Sequence, residues 1–236
     1  MNIIDLIILG ILGISVLIGL YRGFVASVAS LGGCAVSLGL SFWLNPRLVE
    51  WVQGHPELIR TLMSYTDAGT RLGDQTLAQT SVSSLSAGGI AEILQKVNLP
   101  EPLGSLLQKN LQGQVFQPEG LTRVGDYVSQ TIVSAVLNVL CFVVCFVVCF
   151  LVIHFVLGFL KAVFKFPVLK QLNALVGGAF GLLRGALFCF LAFALLPLVQ
   201  TVLPVEQQIG QLLAESTLAP LFNSRNLITA IMNGRL

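Results

Sequence analysis

The sequence predicts an all-α integral membrane protein, and three observations carry that reading. Only 10% of the 236 residues are charged while 55% are hydrophobic, where a soluble domain is nearer a quarter charged. Mean hydropathy is +0.87. Residues 6–21, 23–46 and 127–160 carry no formal charge if His154 is neutral, and residues 171–199 carry only Arg184; a helix needs ~20 apolar residues to cross a bilayer. The expected architecture is four transmembrane helices in two hairpins, with an extracytoplasmic insertion of short amphipathic helices and an amphipathic C-terminal tail. Residues 1–44 form hairpin 1, residues 45–125 the insertion, residues 126–200 hairpin 2 and residues 201–236 the tail.

The first two spans, 3–20 and 24–44, are joined by Tyr21-Arg22-Gly23 alone. Tyr21 and Arg22 suit the headgroup layer, and Gly23 can adopt an unusual dihedral in a tight turn. One bent helix through both would reach ~60 Å and overshoot a bilayer. No lysine or arginine precedes Arg22, so the first run lacks the basic start of a secretory signal and reads as a retained helix. Trp43 marks the far interface and Asn45-Pro46 the stop. Residues 45–125 then hold five of the nine prolines. Leu58, Ile59, Leu62 and Met63 make one apolar face, Ile90, Ile93, Leu94 and Val97 a second, and Leu103, Leu106, Leu107 and Leu111 a third. These helices either pack into a cap over the spans or lie flat in the headgroups. Residues 75–89, rich in Ser, Thr and Gly, read as a flexible linker.

The third run would make ~50 Å of helix, so it should tilt or protrude toward the polar insertion. Cys141, Cys145 and Cys149 share one face, beside Phe142, Phe146 and Phe150. Three thiols in line, with no further ligand at their depth, do not form a tetrahedral metal cage; with Cys34 and Cys189 they read as small hydrophobes. His154 follows on the phenylalanine face as a hydrogen-bonded packing residue, with a proton relay as the sharper alternative. In the fourth run Gly177, Gly181 and Gly185 form a bare stripe, a glycine zipper along which another helix can approach closely. Gly181-Leu182-Leu183-Arg184-Gly185 echoes Gly19-Leu20-Tyr21-Arg22-Gly23. A break there would make residues 172–183 re-entrant; chance similarity leaves one continuous helix. Pro197 and Pro204 break the run, and Ile209, Leu212 and Leu213, then Leu227, Ile228 and Ile231, give the tail its apolar face.

Arg22 marks the first short connection, and Lys161, Lys165 and Lys170 the second, so both turns should face the cytoplasm. The amino terminus, the insertion and the tail then lie outside. Asp5 is 17 residues, ~25 Å, above Arg22, and Arg184 is 14 residues, ~21 Å, above Lys170. The two are therefore expected to pair in the outer half of the membrane. The alternative leaves Asp5 solvated among headgroups and Arg184 snorkelling to phosphate.

A net charge of +2 without a basic tract argues against nucleic-acid binding. Asp5, His154 and Arg184 are too few for a catalytic constellation, so no enzyme, cofactor or metal is expected. Asn2-Ile3-Ile4-Asp5, Tyr21-Arg22-Gly23-Phe24, Phe166-Pro167 before Leu172-Asn173, Gly177 to Gly181 running into Leu183-Arg184-Gly185, and Ser216-Thr217-Leu218-Ala219-Pro220 resemble the CvpA, or colicin V production protein, family. The resemblance covers residues 1–45 and 125–225. It implies a bacterial inner-membrane protein of about four helices, linked to peptide-toxin production or export and to envelope homeostasis. Some relatives continue into an extracytoplasmic serine protease, but no G-x-S-x-G elbow is present here. The expected role is a non-enzymatic accessory or scaffold that binds other envelope proteins through its cap. The competing role is an oligomeric channel or transporter subunit using Arg184 and Asp5 on an anion or small solute. The glycine stripe would then serve as a contact between copies.

Overall fold

The structure, a computed structural model, describes residues 2–55, 57–58, 73–163, 170–202 and 206–222. At residues 119, 160–163, 170–173, 198–202 and 206–209 it describes the backbone alone. Four helices are long and apolar enough to cross a membrane. They are α1 (Ile3–Arg22), α2 (Phe24–Gln53), α6 (Val124–Val163) and α7 (Lys170–Val202). Between α2 and α6 lie α3 (Gln75–Gln79), α4 (Ala87–Val97) and α5 (Leu103–Gly113), and after α7 come α8 (Glu206–Glu215) and α9 (Ala219–Phe222).

The chain reverses at Gly23, whose φ of 79° lies where glycine is at ease, and α2 starts at the next residue. The two spans within each hairpin nevertheless touch little. The extensive seams run between the two hairpins, α1 against α7 and α2 against α6, with α2 also resting on α7. Composition explains the choice. Along the α1–α7 seam, a Cβ on Gly177 would sit 2.5 Å from the Gly19 carbonyl oxygen, and one on Gly181 would sit 2.5 Å from that of Ser15. Only glycine permits this approach, which lets dispersion and short polar contacts hold helices together where lipid offers no hydrophobic drive. The outward faces remain apolar: Leu6, Ile7 and Leu17 of α1 are 66, 56 and 65% exposed. Such faces fit a bilayer and not water.

α2 is different, because its inward face is polar. Ser27, Ser30, Ser37, Ser41 and Asn45 are all buried, at spacings of three, seven, four and four that keep them on one stripe. Ser37 and Ser41 donate to the carbonyls of Gly33 and Ser37 four residues back, at 2.6 and 2.5 Å. Their hydroxyls are thus satisfied within the helix, and what they show α6 is small and nearly apolar. Among the described residues, the Asn45 side chain has no hydrogen-bond partner on either atom.

Three local expectations are corrected. α2 does not stop at Asn45-Pro46 but continues through Pro46 to Gln53. A proline removes one helical hydrogen bond, and here the next two turns still pack, with Val49 buried beside Leu137 and Cys141 of α6. Likewise α7 passes through Pro197 to Val202, and it runs unbroken through the glycines from 177 to 185. Residues 75–89 are ordered. Asp74 caps α3 by accepting from the backbone N–H groups of Thr76 and Leu77, and Val82 is buried in the cap core with Leu77 and Leu85 against it. Three apolar residues suffice to fix a stretch whose composition reads as linker.

That core also explains the length of α6. Its first turns, from Val124 through Tyr127, Val128 and Ile132 to Val136, are buried among Ile90, Ile93 and Val97 of α4 and Leu107 and Leu111 of α5. The protruding end of the longest helix is therefore the mast on which the cap is built. Leu103 and Leu106 continue this packing down to Phe142 and Ala194. Of the three expected amphipathic faces, the one containing Ile59, Leu62 and Met63 lies outside the described residues, as do Pro204, Leu227, Ile228 and Ile231.

Candidate functional site

Among the described residues two polar clusters flank the α1–α7 seam, one at its cap end around Asp5 and one mid-way along it around Arg184. Asp5, 1% exposed, sits in the first turn of α1 at the cap end. Its Oδ1 accepts from the Ser216 hydroxyl at 2.6 Å and the Leu218 amide at 3.0 Å. Its Oδ2 accepts from the Asn2 amide at 3.0 Å and the Thr217 amide at 3.4 Å. The Asn2 side chain closes the same clasp by donating to the Leu212 carbonyl of α8 at 2.7 Å. One buried carboxylate, surrounded by four donors, thus ties the tail to the start of the chain.

Arg184 is also buried, on α7, but it meets no carboxylate among the described residues. Nε and Nη2 donate to the Ser15 hydroxyl at 3.2 and 3.1 Å, and Nη2 also reaches the Ser15 carbonyl at 3.4 Å. Nη1 donates to the Ser30 hydroxyl at 3.0 Å. Ser15 in turn donates to the Gly181 carbonyl at 2.8 Å. The Ser30 oxygen lies 3.2 Å from His154 Nε2, while His154 Nδ1 lies 3.1 Å from the Phe150 carbonyl. A carbonyl can only accept, so Nδ1 carries the hydrogen. Nε2 then accepts from Ser30. The guanidinium therefore heads a chain running Arg184, Ser30, His154, which crosses from α7 over α2 to α6.

The chain ends in a cavity of about 320 Å³ lined by Arg22, Ala26, Ser30, His154, Leu157 and Gly158. Arg22 and Gly23, expected at a turn, are at that turn, and Arg22 also faces this cavity. Gly23 lies against Gly177, and Phe24 meets Phe180 edge-on with centroids 5.5 Å apart.

The expected Asp5–Arg184 pair does not form. The depth comparison assumed that Lys170 lies level with Arg22, whereas Gly177 is the residue that meets Gly23. Lys170 begins α7 seven residues earlier, ~10 Å beyond that level. Arg184 is lowered by the same amount and falls opposite Ser15, ten residues or ~15 Å along α1 from Asp5. Gly177, Gly181 and Gly185 all face α1 of the same chain, against Gly19 and Gly23, Ser15 and Gly19, and Ser15 and Leu12. The sequence reading left out Ser15 and Ser30 and placed Ser216 in a tail motif without a partner. The α2 stripe could have revealed Ser30 by its spacing; Ser216 stands 211 residues from its partner and no local pattern links them.

With the geometry in place, the comparison with known proteins is informative. The family model for colicin V production proteins matches residues 4–226. The chain belongs to that family. The matched range includes the residues of the cap, which the motif resemblance does not reach. No curated protein and no solved structure matches the chain. Within this colicin V production family member, the N-terminal Asn2-Ile3-Ile4-Asp5 and the distant Ser216-Thr217-Leu218 are the two halves of one clasp. Tyr21-Arg22-Gly23-Phe24 and the Gly177 to Gly185 segment are likewise the two halves of one seam.

Proposed function

We propose that this multi-pass membrane protein acts as a non-enzymatic accessory scaffold of the bacterial inner membrane in peptide-toxin production or export and in envelope upkeep. The observation that carries the reading is the cap: three helices with their own apolar core, fixed to the projecting turns of α6. A platform so anchored suits holding another protein better than local chemistry. The charge bias of the short connections supports a cap outside the cytoplasm, with both termini on its side. Family membership supports the link to toxin production. Glu92, Gln95 and Lys109 are exposed on α4 and α5 and stand on the surface offered to a partner.

In cells exporting a peptide toxin, alanine at these three positions should reduce export as far as deleting the whole chain does, with membrane insertion intact. Full export by such a variant would contradict the reading. A second reading, an oligomeric anion channel or transporter subunit, is favoured by the Arg184 network and its cavity; Asp5 has no part in it. Solute flux through the purified protein in liposomes, abolished by Arg184→Ala without unfolding, would support that reading. A well-folded wild type that passes nothing would weigh against it.

A further inference from the structure

The cavity at the Arg22 end, which the scaffold reading leaves unused, is one-sided in its chemistry. Arg22 supplies a guanidinium at its wall. Arg184 stands immediately behind Ser30, donating to it at 3.0 Å, so a second positive charge backs the same wall. None of the described lining residues is acidic. Among the described residues the salt bridges are Lys96 with Asp74 and Lys96 with Glu92, both in the cap. One exposed guanidinium at the wall and one buried behind it, with no carboxylate among the described lining residues, favour an anion. Ala26, in the first turn of α2, also lines the site, and a helix N-terminus adds partial positive charge there.

Size and place narrow the ligand. About 320 Å³ is large enough for a phosphate group with part of what carries it. Arg22 lies at the turn between two spans beside Tyr21, which is 94% exposed; arginine and tyrosine in that position mark the headgroup layer. Arginine's planar fork matches phosphate oxygens in pairs. Ser30 and His154 complete the polar wall of this groove between α2 and α6.

We propose that this cavity is a binding site for an anionic phosphate group, held by Arg22 and backed by the charge of Arg184, with Ser30 and His154 in its wall. The group is either the headgroup of an acidic phospholipid or a soluble phosphate, and the two sources are separable by experiment. Full-length protein in neutral detergent is heated while inorganic phosphate is titrated against chloride of equal ionic strength. In a parallel series phosphatidylglycerol is titrated against phosphatidylcholine. The wild-type Tm should rise with one of the two anions; phosphate alone identifies a soluble ligand, and phosphatidylglycerol alone a lipid headgroup.

Arg22→Gln should weaken the apparent affinity at least tenfold. Gly158→Leu provides a second variant that leaves every polar group in place. A Cβ at Gly158 meets nothing within 4 Å, and Gly158 lines the cavity, so the added side chain is expected to occupy that space, with folding checked by the Tm without ligand. It should weaken binding similarly. A wild-type Tm indifferent to both anions, or an unchanged response in both variants, would overturn the proposal.

Discussion

Asp5 and Arg184 are both buried charges on the same helical seam, and they are accommodated in opposite ways. The carboxylate of Asp5 is surrounded by donors that would otherwise lack acceptors: three backbone amides and the Ser216 hydroxyl. Without it, a turn comes apart. Arg184 rests on groups that already have partners, since Ser15 bonds Gly181 and Ser30 bonds His154. Without it, those bonds remain. The difference separates a charge kept for structure from one whose burial gives the fold little, and such a charge calls for another use.

The largest disturbance to this contrast should come from the seam that sets both depths. Gly181→Leu would drive a side chain into the Ser15 backbone and separate α1 from α7, costing about 3 kcal/mol or more. Denaturant unfolding in mixed micelles should show it, with loss of both clusters together. Asp5→Ala should follow at about 2–4 kcal/mol, because the buried Ser216 hydroxyl and the part-buried Leu218 amide lose their acceptor; hydrogen exchange should rise first around Ser216. Arg184→Met should change stability by no more than about 1 kcal/mol, since an apolar side chain of similar length leaves Ser15 and Ser30 paired. A loss as large as that of Asp5→Ala would erase the distinction.

The spans, the reversal at Gly23 and the apolar faces of α4 and α5 were legible because each rests on a local period or run length. What was not legible depended on distant partners. Pro46 and Pro197 read as stops, yet both helices continue through them. In α2 the continuation rests on Val49 packed beside Leu137 of α6, a contact no local rule contains. Residues 75–89 read as linker because serine and glycine dominate, while Leu77, Val82 and Leu85 set their structure. The serine stripe of α2 was open to view at helical spacing, but counting charges made serine invisible. The misplaced Asp5–Arg184 pair came from a ruler with the wrong zero: helix rise is reliable, but the depth at which a helix begins is set by its packing.

The smallest effect concerns a charge outside the membrane, which gives a scale for the two within it. The hydroxyl of Thr76, then Lys96 and the Leu77 amide, hold the Asp74 carboxyl down at about 2, below its ordinary 3.8. A carboxyl depressed by folding stabilises above its unfolded pKa and loses that contribution as pH falls through the folded one. The stability gap between wild type and Asp74→Asn should thus be constant above about pH 4 and close by about pH 2. As the group is exposed, the gap should be small.

The most direct test of the separation between the two buried charges is a pair of double-mutant cycles on unfolding free energy. Asp5→Asn combined with Arg184→Gln should be additive within about 0.5 kcal/mol, as expected for sites well apart. Asp5→Asn combined with Ser216→Ala should show a coupling of about 1 kcal/mol or more. Coupling of that size between Asp5 and Arg184, or none between Asp5 and Ser216, would contradict the account.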